Sequence, residues 1–116
     1  MSNVKVQIFV ESRYKVNRKK IKGTVERVVA DRGISSPLEV SVAIVGDRKM
    51  HDLNKKYRNL DKTTNILSFS QNEGPAMKHE RTSAMLGDIV ISYPEMIKEA
   101  SFENMLLDDK ISYWIS

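Results

Sequence analysis

The chain has no cysteine, so it can form neither a disulfide nor a thiolate metal site, and this agrees with a reducing compartment. Any metal it held would have to sit on histidine or carboxylates, and histidine is scarce. The only two, His51 and His79, lie 28 positions apart, far from the short spacing of a zinc pair, and each reads as a surface residue. No stretch reaches the roughly eighteen apolar residues of a membrane span, and the N-terminus lacks a basic start followed by an apolar run. A cytoplasmic location with no membrane partner is therefore expected. There is no Walker loop, no G-x-G-x-x-G, no G-x-S-x-G and no Cys/His pair, which removes most support for nucleotide-dependent and covalent-nucleophile enzymes.

What is present describes one folded unit. At 116 residues, with 41% hydrophobic and 29% charged, the chain is long enough for a single core that buries roughly two thirds of the unfolded surface. Residues 1–116 are read as one domain, without repeat or low-complexity tract. The net charge of +4 is unevenly spread. Arg13 to Arg32 carries eight basic residues against two acidic ones, for +6, and Arg48 to Lys62 carries six against two, for +4, so the remainder is −6. Two basic segments on an otherwise acidic molecule suit a phosphate backbone, because each neutralised phosphate releases condensed counterions. A solvated helix face accounts for the same charges.

Hydrophobic periodicity sets out the elements. Val4 to Val10 alternates, with Val4, Val6, Ile8 and Val10 on one face and Phe9 on the other, and predicts a first strand. From Asn17 the period lengthens: Ile21, Val25, Val28 and Val29 form a helical stripe between Asn17 as N-cap and Gly33 past the end, with the basic residues mostly off the stripe. Ser35, Ser36 and Pro37 break the chain before a second strand, Leu38 to Val45. Asp47 is expected to cap a helix whose Met50, Leu53 and Tyr57 face the core. Thr64 to Phe69 predicts a third strand, Gln71 to Met85 an exposed connection, and Leu86 to Ser92 a fourth strand. Pro94 opens a helix through Met96, Ile97 and Ala100, and Ile111, Trp114 and Ile115 mark a last one. The order β, α, β, α, β, β, α, α predicts an α/β (α+β) fold, a single layer of about four strands packed with helices.

The chemistry concentrates after the second helix. Tyr57-Arg58, followed by Asn59-Leu60-Asp61-Lys62 and a strand, delivers a guanidinium to a helix-to-sheet junction, a place that often lines a cleft. Arg58 can hold a phosphate bidentately and stabilise charge building on its oxygens. Capping the helix carbonyls or pairing with Asp61 would use the same side chain structurally. Asp61 and Thr63-Thr64-Asn65 are turn residues able to bond nearby amides. Asp88, between Gly87 and the apolar Ile89-Val90-Ile91, places a carboxylate at the mouth of a buried strand; an ion pair and an exposed strand start both remain open. Gly87 is expected to permit a bulge or a close backbone approach.

Asn54, Tyr57, Arg58, Asp61, Thr64, Asn65, Leu67, Ser68 and Phe69, together with Leu86, Gly87, Asp88, Ile89 and Ile91, resemble two signature blocks of the YbeY family, zinc-dependent endoribonucleases that mature bacterial ribosomal RNA. Thr63 and Ser70 stand where the family carries prolines, and Ile66 where it carries valine. The resemblance implies a YbeY-type fold with Arg58 as the active-site arginine. It implies that the Thr64–Phe69 strand borders the substrate cleft, with Asp61, Thr64, Asn65, Ser68 and Asp88 lining or supporting it. Lys55, Lys56 and Lys62, with Arg18, Lys19 and Lys20, would guide the RNA backbone. The implied reaction is hydrolysis of single-stranded RNA in rRNA maturation and ribosome quality control, with the ribosome or its proteins as partners and zinc polarising the phosphoryl oxygen or acidifying a bound water.

In that family a third block, H-G-x-L-H-L-x-G-x-D-H, supplies the zinc-binding histidines. This chain ends at Ser116, where the block is expected to begin. The expectation is a C-terminally truncated form that carries none of the metal ligands and is less stable than its longer relatives. A competing reading is a non-catalytic RNA- or ribosome-binding module that keeps the basic surface. A metalloprotease-like hydrolase ranks lowest, since basic segments suit a generic peptide poorly and no H-E-x-x-H is present.

Overall fold

The computed structural model describes residues 4–11, 14–33, 38–69 and 85–115, and for Leu38, Met85 and Leu86 the backbone alone. His79, the Ser35-Ser36-Pro37 break and residues 71–84 of the expected connection lie outside the described residues, and Met85, expected in that connection, opens the fourth strand.

The elements are β1 (Val4–Val10), α1 (Arg18–Asp31), β2 (Leu38–Val45), α2 (Asp47–Arg58), β3 (Ile66–Phe69), β4 (Met85–Ser92), α3 (Tyr93–Phe102) and α4 (Leu107–Ile115). The sheet order is β1-β2-β4-β3. β1 and β4 flank β2 in parallel, whereas β3 runs antiparallel on the outer edge of β4. The predicted order of elements and the mixed class are as observed.

Alternation divides the sheet's side chains between two cores. On one face Val40, Val42, Ile44 and Ile91 meet Ile21, Val25 and Val29 of α1, Met96 of α3 and Ile111 of α4, with Val4, Val6, Ile8 and Val10 packed at the margin. On the other, Ala43, Val45, Leu67, Phe69 and Val90 meet Met50 and Leu53 of α2, with Tyr57 beside them. β2 is central and covered on both sides, which explains its near-continuous β-branched composition.

The helix ends follow capping chemistry. The Asn17 side chain accepts from Lys20 N, as expected of an N-cap, and Gly33 past α1 adopts φ 66°. Asp47 differs from expectation: Gly46 is the N-cap of α2 and makes no side-chain cap bond. The Asp47 carboxylate turns instead to tertiary partners, accepting from Ser92 Oγ at 2.8 Å and Thr63 Oγ1 at 3.5 Å. Ser92 caps α3 in turn by accepting from Glu95 N.

Two further expectations change. β3 begins at Ile66 rather than Thr64: Asn65 still accepts from Ser92 N in line with the β3–β4 register, while its carboxamide turns to Glu99 and Thr64 lies before the strand. Gly87 marks no bulge, since the β2–β4 register runs unbroken through it. A Cβ there would sit 3.6 Å from the Phe69 carbonyl, an ordinary contact.

α2 ends in a left-handed residue, Asn59, at φ 58°, whose N–H bonds Asn54 O. Asn tolerates this region and a plain L-residue does not. Asn59→Ala is expected to cost about 1 kcal/mol and Asn59→Gly to be neutral or mildly stabilising; urea unfolding of the two variants checks the order, and equal midpoints would remove the strain argument.

Candidate functional site

The stripe Met50, Leu53 and Tyr57 pins α2 to its face of the sheet, so the helix's last residue emerges over the β3 edge. There the Arg58 guanidinium lies 4.7 Å from the centre of the Phe69 ring. Its Nη2 donates to Ser68 O at 2.9 Å and its Nη1 to Tyr57 O at 3.3 Å. Tyr57 meets the same Phe69 ring edge-on, 5.3 Å between centroids. Two carbonyls and a ring thus fix the plane of the guanidinium fork at the helix-to-sheet junction. Of the two structural roles considered for Arg58, contact with a terminal carbonyl of its own helix is present.

Asp61 pairs with His51 rather than with Arg58: His51 Nε2 and Asp61 Oδ1 are 2.5 Å apart on the surface. That hydrogen bond, followed by the Lys55 charge and the His51 charge, holds the Asp61 carboxyl below its ordinary value of 3.8. A depressed carboxyl contributes stability that is present above the unfolded value and lost as pH falls through the lower folded one. His51→Gln is therefore expected to cost stability above about pH 4 and to match the parent in stronger acid; denaturant midpoints measured down to pH 2, at low and high salt, check this. A deficit that persisted in acid would show that His51 acts through packing.

The loop that carries these groups hangs on Asn54, which is 1% exposed. Its carbonyl accepts from Leu60 N, and its Nδ2 donates to Lys62 O at 2.9 Å. The backbone carbonyl and the buried carboxamide of one residue thus tie residues 59–62 back onto α2. Nearer the sheet, Thr64 Oγ1 donates to Asn65 Oδ1 at 3.5 Å, and Asn65 Nδ2 donates to Glu99 Oε2 at 2.7 Å. Glu99 also accepts from Trp114 Nε1, and buried Lys110 bonds Glu103 at 2.5 Å with Glu99 at 3.7 Å. Asp88, 6% exposed, faces Phe69 across β3–β4 and Ser41 across β2–β4 in the register. It is a buried position rather than an exposed strand start.

The basic residues form two groups. Lys55 and Lys56 are exposed in the last turn of α2, where the helix dipole favours cations, and Lys62 is exposed just beyond. Arg18, Lys19 and Lys20 open α1 on the opposite face of the sheet. Arg18 donates to Ile8 O at 3.0 Å, and Lys20 is ion-paired with Asp109. α1 starts where β1 ends and α2 finishes back toward the strand starts, so the two groups lie at opposite ends of the sheet as well as on opposite faces. The site near Arg58 has Lys55, Lys56 and Lys62 in its neighbourhood and not the α1 group.

Among the described residues, no three His, Cys, Asp or Glu side chains stand together to hold a metal ion. His51 is committed to Asp61, and the donor set around Arg58 is not that of a three-histidine zinc centre. Sequence reasoning gave Asn54, Tyr57 and Phe69 no site role, although each lay in a block already singled out. Their signal was a carboxamide and two rings flanking the arginine.

A family model described as Endoribonuclease YbeY matches residues 7–116. A protein named endoribonuclease YbeY from Desulforamulus reducens is 32% identical over 114 residues, 97% of this chain and 72% of that protein. One of the same name from Francisella philomiragia is 38% identical over 82 residues, 71% of this chain and 52% of its own length. Against other such relatives, too, the chain spans little more than half of the length. The solution structure of TM1509 from Thermotoga maritima superposes with a TM-score of 0.57 at 19% identity, covering 92% of this chain and 64% of the other, and shows the fold.

Proposed function

The chain belongs to the endoribonuclease YbeY family, and from that premise we propose that it acts in the endonucleolytic maturation of ribosomal RNA, with Arg58 as the residue that grips the scissile phosphate. The observation that carries this reading is the guanidinium held on Phe69 and the Ser68 carbonyl at the mouth of the α2–β3 junction. A fork fixed in this way meets two phosphoryl oxygens without reorganising, and its charge is worth most as negative charge accumulates on those oxygens. Asn54 positions the loop after the helix; Asp61, anchored to His51, keeps that loop folded along α2. Thr64, Asn65 and Ser68 shape the strand beside the arginine.

Lys55, Lys56 and Lys62 attract the RNA backbone and hold it by its phosphates, which contributes affinity and leaves sequence unread. Arg18, Lys19 and Lys20 would meet a more distant stretch of a long RNA or a ribosomal surface. Zinc belongs to the proposed family chemistry, with ligands that these described residues do not supply. No helix among the described residues is long and apolar enough to cross a membrane, and work on ribosomal RNA places the protein in the cytoplasm.

Cleavage of an end-labelled single-stranded rRNA fragment tests the reading. Replacing Lys55, Lys56 and Lys62 together by glutamine is expected to weaken RNA binding and to flatten the slope of log affinity against log salt by about 2, since each single-strand phosphate contact contributes about 0.7. An unchanged slope would assign the RNA surface elsewhere. Salt-sensitive binding with no cleavage at any zinc concentration favours the binding-module reading that the two basic segments also support.

A further inference from the structure

We propose that the strip of sheet formed by Glu39, Ser41 and Asp88 binds a hard divalent cation of the Mg2+ or Mn2+ class. β2 is apolar apart from two positions, Glu39 and Ser41, which alternate with the core-facing Val40 and Val42. Side chains two apart on a strand share a face, and Asp88 is the register partner of Ser41 on β4. Glu39, Ser41 and Asp88 therefore all lie on the α2 side of the sheet, below the part that Ala43, Val45 and Val90 cover against α2. Gln7, the partner of Ser41 on β1, extends the same row.

All three are buried, at 9%, 2% and 6% exposure, and Glu39 Oε2 has no hydrogen-bond partner among the described residues. A carboxylate oxygen taken out of water without a donor is unfavourable, and a bound cation removes that cost. Lys5, opposite Glu39 in the register, is exposed, so its ammonium remains hydrated instead of entering the strip. The donors on offer are carboxylate, hydroxyl and carboxamide oxygens, with no nitrogen or sulfur, which selects hard cations over zinc. One or two carboxylates are what Mg2+ takes from a protein while it keeps several waters, whereas Ca2+ asks for six to eight oxygens. The strip lies one strand pair from the Arg58 platform, since Asp88 also faces Phe69. The inference stands apart from the proposed RNA chemistry.

The test is Mn2+ titration of the whole chain, read from the loss of the free Mn2+ resonance signal, with Mg2+ as competitor, beside thermal unfolding in Mg2+ at constant ionic strength. One Mn2+ displaced by Mg2+ is expected, with a melting temperature that climbs with Mg2+ concentration. Glu39→Gln should weaken Mn2+ binding about tenfold or more while its metal-free melting temperature stays level or rises, because it removes the orphan charge and keeps the shape. If Glu39→Gln instead lowers the metal-free melting temperature, Ser41→Ala decides by the same criterion of weakened binding. Failure of the parent to bind Mn2+, or equal affinity in parent and both variants, overturns the proposal. So does a loss of affinity in His51→Ala, which would put the ion at the His51–Asp61 pair.

Discussion

Arg58→Ala is expected to lower the rate of RNA cleavage by about a hundred- to a thousandfold, the loss that follows removal of one preorganised donor to a developing oxyanion. The fall should appear in the chemical step and leave RNA affinity nearly unchanged, because the lysines around it supply most of the attraction. Arg58→Lys should recover only part of the activity. A lysine restores charge but not a planar fork, and it cannot reach Ser68 O and stack on Phe69 in the same geometry. The melting temperature should move little, since the ring contact of a partly exposed arginine contributes about 0.5–1 kcal/mol. If both variants cleave as the parent does, the arginine is structural, as its contacts with Tyr57 O, Ser68 O and Phe69 would suit.

Ile91→Ala is expected to remove about 2–5 kcal/mol, enough to lower the melting temperature by about 10–20 °C or to unfold the chain outright. Ile91 is 0% exposed on β4, between its register partners Ile44 and Ile66, and it faces Met96 and Ile111. Elements distant in sequence converge on this one side chain, and a close-packed interior cannot collapse from every side at once. Ile91→Val should cost about 0.5–1.5 kcal/mol. Urea denaturation that ranked the two variants alike would mean that the surrounding helices relax to fill the gap, and that this core is looser than its burial indicates.

The sequence by itself determined the kind and order of the elements and the family. Val4 to Val10, Ile21 to Val29 and Leu38 to Val45 each declare their period within a few residues, because side-chain direction along a strand or helix is a local geometric property. The Asn17 cap and the left-handed Gly33 were legible for the same reason: each bonds or bends within its own turn. The blocks around Arg58 and Asp88 named the family.

Tertiary structure alone decided which partner each polar group took. Asp47, expected to cap its own helix, bonds Ser92, 45 positions away. Lys20 meets Asp109, 89 positions away, and Lys110 is buried between Glu99 and Glu103, a placement that no charge pattern announces. The helices that carry the two basic segments, similar in composition, prove to lie on opposite faces, since α1 packs in one core and α2 in the other. β4, not β3, pairs with β2, and that insertion sets Asp88 beside Ser41 in a buried row. Local periodicity is set by backbone geometry over a few residues, whereas a hydrogen-bond partner is set by which distant surfaces the burial of apolar area forces together.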